Sequence, residues 1–226
     1  MGYNNISPRK TGFKQVKTVK TFNIPSQTEV LKHFTNAIAD IRYIKECAQK
    51  TSAYSCLLRS SVVMVCSAFD LYLHELFYMS FFFMRNGQIK HPSYEFNEFK
   101  KQYSQDIIDN NSRFYTKLMK EYGYITMSNP NKFVEALDHM GITQKEEIYI
   151  SVLKKKGIII IPEESEEKLK QEMRSFYLRR NLIAHSYDYD LPGGQEEIND
   201  EFVTEYVELL SNIVDALAEY INREWS

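Results

Sequence analysis

The sequence has few of the residues that build disulfide-stabilised or metal-binding proteins. It contains three cysteines, an odd number, and no Cys-x-x-Cys pair occurs among them. This pattern argues against a disulfide framework or a zinc ribbon, and it predicts a reduced, cytoplasmic protein. Five histidines are present, without a His-Glu-x-x-His motif or a close histidine pair. We therefore expect no metal centre and no other cofactor.

Long apolar runs and glycine-rich motifs are also absent. The longest uncharged apolar stretches, 60–69 and 76–84, are shorter than the roughly 20 residues of a membrane-spanning helix. The N-terminus shows no apolar segment followed by a small-residue cleavage site. No Gly-rich phosphate loop and no Gly-x-Ser-x-Gly turn occurs, so the standard nucleotide-binding and serine-hydrolase folds have no support. We expect no contact with a membrane.

The net charge of −2 conceals an uneven distribution. Residues 1–25 carry only basic charges, which leaves the rest of the chain acidic. This basic N-terminal arm could follow a phosphate backbone, or it could be a basic terminus without a role. The charged residues of the arm are Arg9, Lys10, Lys14, Lys17 and Lys20.

What the chain does have is helical periodicity, and we predict an all-α four-helix bundle in a single domain over residues 26–226. Ser26 and Glu29 have the spacing of a capping box and begin the first helix, which runs to about Lys50. The region at about 86–160 looks like an insertion of short helices, one of them begun by a second capping box at Thr143 and Glu146. Residues 157–162 are expected to form an extended connector or an edge strand. The other long helices are predicted at about 53–84, 163–187 and 200–224.

One charge lies on the apolar stripe of the third long helix. Leu169, Met173 and Phe176 recur at helical spacing, and the next steps of the stripe fall on Arg180 and Ile183. A guanidinium withdrawn from water without a partner costs several kcal/mol or more. Arg180 should therefore face a carboxylate, a groove that stays wet, or an anionic ligand.

His185 follows Arg180 by five positions, so the two side chains diverge by roughly 140° on a regular helix. Asn181 shares a face with His185 and could orient the imidazole. A second copy across a two-fold axis would let the divergent pairs interleave in one polar groove, which predicts a homodimer. An imidazole that titrates near neutrality beside a fixed cation is suited to cleaving RNA through attack of the 2′-hydroxyl, without a metal.

Residues 180–185, Arg-Asn-Leu-Ile-Ala-His, resemble the R-x4-H signature of the HEPN superfamily of helical ribonucleases. Residues 57–76 resemble the core helix of its RiboL-PSP branch. The resemblance implies a two-fold dimer and a metal-independent endoribonuclease that leaves a 2′,3′-cyclic phosphate. It also implies that Arg180 stabilises the pentacoordinate phosphate, that His185 is the general base or acid, and that Asn181 supports them. Family members commonly act as toxins or anti-phage effectors, often on transfer RNA, with an antitoxin or defence-system protein as partner.

Other residues have both a functional and a structural interpretation. Tyr187, in His-Ser-Tyr, resembles a tyrosine that a partner nucleotidyltransferase modifies in some members, although packing is the simpler role. Asp70 and His74 could be a second acid–base pair, but we favour a satisfied buried hydrogen bond. Aromatic residues such as Phe81 and Phe99 are expected to pack rather than to stack on bases. Three basic residues of the third long helix could bind RNA or simply face solvent: Lys170, Arg174 and Arg179.

Two further functions compete with catalysis. A non-catalytic HEPN-like module could use the same groove to bind a nucleotide or a protein partner. A structural subunit could instead dock a larger effector through the inserted region at 86–160.

Overall fold

The computed structural model describes residues 25–186, 188 and 194–225. Within these ranges the chain is α-helical, with one 3-10 turn at Pro162–Glu164 and no β-strand. Residues 1–24 of the basic N-terminal arm, with all of its charges, and Tyr187 lie outside the described residues. The helices are α1 Gln27–Ala48, α2 Tyr54–Arg85, α3 Tyr94–Gln102, α4 Gln105–Asp109, α5 Asn111–Tyr122, α6 Pro130–His139, α7 Lys145–Lys155, α8 Ser165–Ser186 and α9 Asp200–Glu224.

Helix α2 is the core of the bundle. It packs along α1 and also contacts α8, α9 and α6. Phe69, Leu73 and Phe77 are completely buried on it, and the side chains of α1 that face it, such as Phe34, are nearly so. By length and composition α2 could cross a membrane, but half of its most apolar window is buried inside the protein. Its apolar character is therefore explained by packing against other helices.

The start of α1 is fixed by the predicted capping box. The Ser26 hydroxyl accepts the backbone N–H of Glu29, and the Glu29 carboxylate accepts the backbone N–H of Ser26 at 2.7 Å. The second predicted capping box is wrong. Helix α7 begins one residue later than expected, with Gln144 as its N-cap and without a side-chain cap. The segment 157–161 is a connector rather than a strand.

The short helices α3 to α7 lie between α2 and α8 in sequence, and α3 and α5 cover the second half of α2 with aromatic side chains. Phe81 is buried in this cluster and packs against the rings of Phe96 and Phe99 at 5.6 and 5.8 Å. Phe82 packs against Phe114 at 4.9 Å. These rings are therefore core residues, as the sequence predicted, and the cluster holds α5 against α2.

Candidate active site

A cavity of about 400 Å³ lies where α2, α5, the α5–α6 connection and α8 meet. Helix α8 carries the predicted apolar stripe, because Leu169, Met173, Phe176 and Ile183 are buried. Arg180 lies on this stripe and reaches the cavity wall. The polar residues that share the wall with it are Ser67, Asp70, His74, Glu75, Tyr78, Tyr115, Thr126 and Ser128.

Within the described residues, the guanidinium of Arg180 has one hydrogen-bond partner and one shielded nitrogen without a partner. Its Nη1 donates to the Asn181 side-chain oxygen at 3.0 Å, and its Nε is shielded from solvent without a hydrogen bond. No described carboxylate forms an ion pair with it. Asn181 thus contacts Arg180, whereas the sequence interpretation assigned it to the imidazole of His185.

His185 lies in the last turn of α8, and its side chain is exposed. The side chains of Arg180 and His185 diverge, as the helical spacing predicts. Arg180 lines the cavity, while His185 faces solvent. The exposed face of α8 that carries His185 also carries Arg174 and Leu178, which is 59% exposed. A single subunit therefore presents the cation and the imidazole on different faces of one helix.

The three basic residues of α8 predicted to bind RNA differ in their exposure and in their ion pairs. Arg174 is exposed. Lys170 pairs with Glu166 at 2.6 Å, one turn earlier on the same helix. Arg179 pairs with Asp188 and Glu196 and donates to the Glu197 carbonyl at 2.8 Å. Of the three predicted RNA-binding residues, Arg179 is therefore held by internal carboxylates, which gives it a structural role.

The partner of Arg179 is a buried carboxylate that the sequence reasoning missed. Asp188 is completely buried and adopts a left-handed φ of 68°, a conformation that aspartate tolerates better than most residues. Its Oδ2 accepts Arg59 Nε at 2.9 Å and Arg179 Nη2 at 2.7 Å. Arg59 belongs to α2, so Asp188 ties the chain just after His185 to both α2 and α8.

Asp70 and His74 form part of the cavity wall. His74 Nδ1 lies 2.8 Å from the Asp70 backbone carbonyl and 3.7 Å from Asp70 Oδ2. Because a carbonyl can only accept, Nδ1 donates to it, so that Nε2 is the acceptor nitrogen in the neutral form of the ring. That Nε2 is shielded and has no hydrogen-bond partner among the described residues. The favoured interpretation, a satisfied buried pair, thus holds for only one of the two ring nitrogens.

Tyr78 adds a second unpaired group to the same wall. Its side chain is 6% exposed, and its hydroxyl has no hydrogen bond within the described structure. Burial raises the pKa of Tyr78, with smaller contributions from Tyr115 and Asp70. Burial, followed by the negative charge of Glu75, also raises the pKa of Tyr115. The two phenols therefore stay protonated near neutral pH and act as neutral hydrogen-bonding groups.

Comparison with known families gives one match. The family model RiboL-PSP-HEPN matches residues 24–223, which is nearly the whole chain. Neither the curated proteins nor the solved structures include a match. The matched range contains all nine helices named above except the last residue of α9. It therefore includes Arg180 and His185.

Proposed function

The chain belongs to the RiboL-PSP-HEPN family, and from that membership we propose that it is a metal-independent endoribonuclease. We further propose that it acts as a cytoplasmic homodimer on RNA. The observation that carries the proposal is the guanidinium of Arg180, which lies on the core-facing stripe of α8 without a carboxylate partner among the described residues. A bundle does not keep such a charge for stability, and a phosphate would satisfy it.

The proposed chemistry is transfer of a phosphoryl group within the RNA strand. An imidazole of His185 takes the proton of a 2′-hydroxyl, and the resulting oxygen attacks the adjacent phosphorus. The bond from phosphorus to the 5′-oxygen breaks, and this leaving oxygen takes a proton from a second acid. The products are a 2′,3′-cyclic phosphate and a 5′-hydroxyl. Arg180 stabilises the extra negative charge on the phosphate, and Asn181 positions the guanidinium through their hydrogen bond.

The exposed face of α8 supports the proposed dimer. Leu178 and His185 are separated by seven residues and therefore share a face of the helix, and both are exposed. Pairing this face with its copy would bury Leu178 and bring two imidazoles together. Each proposed site then needs one of these imidazoles together with one guanidinium.

We propose a toxin or an anti-phage effector as the cellular role, with transfer RNA as a candidate substrate. Such a nuclease needs a neutralising antitoxin or a defence-system partner. Modification of Tyr187 by that partner is a route to neutralisation, because this residue follows His185 by only two positions. Production of the wild-type chain in bacterial cells should arrest growth, and production of the His185→Ala variant should not.

The direct test is cleavage of RNA by the purified protein in the presence of EDTA. We expect His185→Ala to lower the cleavage rate at least about 100-fold, the usual contribution of an acid–base residue. His91→Ala is the matched control, since His91 is also exposed but lies between α2 and α3. Unchanged cleavage in His185→Ala, or cleavage that EDTA abolishes, would refute the mechanism.

One observation favours the non-catalytic alternative. The cavity beside Arg180 is complete within one subunit, whereas His185 points away from it. A module that binds a nucleotide or a protein partner would need only the cavity. Calorimetry with RNA oligomers distinguishes the two functions, because the module binds them without forming products.

A further inference from the structure

Three side chains on the cavity wall have polar atoms that are shielded from water and unpaired within the described structure: His74 Nε2, Tyr78 Oη and Arg180 Nε. Each unpaired buried polar group carries a desolvation penalty, so native structures contain few of them. Here three meet at one cavity, and Tyr78 is more than nine-tenths buried. Their convergence is most simply explained by a ligand that supplies the missing hydrogen bonds.

The wall also defines the shape and polarity of that ligand. The rings of Tyr78 and Tyr115 meet edge to face with centroids 5.4 Å apart, and the apolar side chains of Leu71 and Met119 line the same cavity. Such a surface accommodates a flat aromatic ring. The volume of about 400 Å³ lies in the roughly 300–1,000 Å³ range of small-molecule sites. Met119 is unbranched, so the wall can adjust as a ligand enters.

Two of the polar groups on the cavity wall, His74 and Asp70, can accept hydrogen bonds. In the neutral form of the ring His74 offers Nε2 as an acceptor, and the Asp70 carboxylate has Oδ1 occupied by the Ser128 backbone N–H at 2.9 Å and Oδ2 without a hydrogen bond, 3.7 Å from His74 Nδ1. Tyr78 stays protonated and can donate. Arg180 adds a cation on the same wall. The wall therefore complements a ring that carries an amino group beside a ring nitrogen, attached to a phosphate.

We propose that this cavity binds one unstacked nucleotide of the RNA and selects bases that carry an exocyclic amino group. Asp70 or His74 accepts from the amino group, Tyr78 donates to the adjacent ring nitrogen, and Arg180 contacts the phosphate. Uracil fits poorly, because it has a carbonyl in place of the amino group and an N–H in place of the ring nitrogen. The inference deepens the proposed function, since it assumes RNA as the substrate and assigns its base preference.

The test compares two nucleotides that differ only in these groups, cytidine 3′-monophosphate and uridine 3′-monophosphate. Neither has a bond to cleave, so binding to the full wild-type chain can be measured by calorimetry whether or not the protein is a nuclease. We expect the cytidine nucleotide to bind roughly 10-fold more tightly. Inorganic phosphate should bind more weakly than either. Equal affinities for the two nucleotides, or equally tight binding of phosphate alone, would overturn the proposal.

Three variants locate the binding site. Tyr78→Phe keeps the ring and should weaken cytidine binding about 5-fold by removing one hydrogen bond. Its matched control is Tyr124→Phe, because Tyr124 is 80% exposed and does not line the cavity, and this change should have no effect. Asp70→Asn introduces a donor and should reduce the discrimination against uridine. Leu71→Trp, at a residue that is 53% exposed and therefore tolerant of substitution, should block the cavity and abolish binding.

The outcomes separate this inference from the proposed nuclease activity. Discrimination between the nucleotides without RNA cleavage would support the cavity and refute the nuclease. Cleavage by a protein whose nucleotide binding is unaffected by Leu71→Trp would refute the cavity and leave the nuclease intact.

Discussion

Arg59 and Arg180 differ in whether they form an ion pair with a described carboxylate. Arg59 is 4% exposed and is paired with the buried Asp188, whereas Arg180 is partly buried without a carboxylate partner among the described residues. Removing one member of a buried ion pair leaves the other charge uncompensated, while removing an unpaired buried donor relieves a cost. Substitution by methionine should therefore lower the stability of the fold at Arg59 but not at Arg180.

We predict that Arg180→Met leaves the free energy of unfolding unchanged or raises it by about 1 kcal/mol, because a shielded and unpaired N–H disappears. The same variant should lower RNA cleavage by about 100-fold or more, the usual effect of losing a donor that stabilises transition-state charge. Arg59→Met should instead destabilise the fold by about 3–5 kcal/mol. Urea unfolding measures the first and third effects. A loss of stability in Arg180→Met as large as in Arg59→Met would mean that Arg180 is structural.

The end of α8 depends on Asp188, two positions beyond the last helical residue. The backbone N–H of Asp188 donates to the Leu182 carbonyl at 3.2 Å, and its own carbonyl accepts the N–H of Glu196 at 3.0 Å. Its carboxylate binds one arginine from α2 and one from α8. Asp188 therefore fixes the C-terminal end of the helix that carries His185, and it acts on the proposed site by positioning that helix end.

We expect Asp188→Asn to destabilise the protein by about 3–5 kcal/mol, because it preserves shape and tolerates the left-handed conformation but leaves the buried Arg59 without a counter-charge and Arg179 with only the more exposed Glu196. Asp106→Asn is the control, since Asp106 also pairs with an arginine but both partners are more than half exposed. That exposed pair should contribute far less to stability than the buried one. Thermal or urea unfolding compares the two variants, and equal effects would show that Asp188 does not anchor α8.

Some of the buried charges can be identified from the sequence alone, and others cannot. The stripe through Met173 and Phe176 identifies Arg180 as a charge on a buried face, and the structure confirms the buried stripe. Arg59 could have been found in the same way, because it interrupts an apolar run of α2. Its partner Asp188 could not, since their contact joins residues 129 positions apart and depends on how the helices pack.

The spacing of a capping box does not by itself determine which residue becomes the N-cap of a helix. Ser26 and Glu29 have the spacing of a capping box and form one, whereas Thr143 and Glu146 have the same spacing and do not. Gln144 takes the N-cap position instead, and its backbone carbonyl accepts the N–H of Glu147 at 3.2 Å. The free Nε2 of His74 had no signal in the sequence, because it results from the Asp70 carbonyl binding the other nitrogen.

The proposed active site is completed either by one subunit or by two. Helix α8 presents Arg180 to the cavity and His185 to solvent, and Leu178 lies exposed on the face that carries His185. We expect Leu178→Arg to produce a folded monomer that no longer cleaves RNA, because two arginines would then oppose each other in the proposed interface. Light scattering measures the mass, and circular dichroism verifies that the helices remain. A dimer of undiminished activity would exclude this face as the interface.

A mixture of two inactive variants tests whether the site is shared. In Arg180→Met the imidazole remains, and in His185→Ala the guanidinium remains, so a heterodimer would combine one of each in a groove formed by both subunits. After the two are unfolded together and refolded, about half of the dimers are mixed if association is random. Cleavage should then exceed that of either variant refolded alone. If Arg180 and His185 instead act within one subunit, each chain of the heterodimer still lacks one of them, and the mixture stays as inactive as its parents.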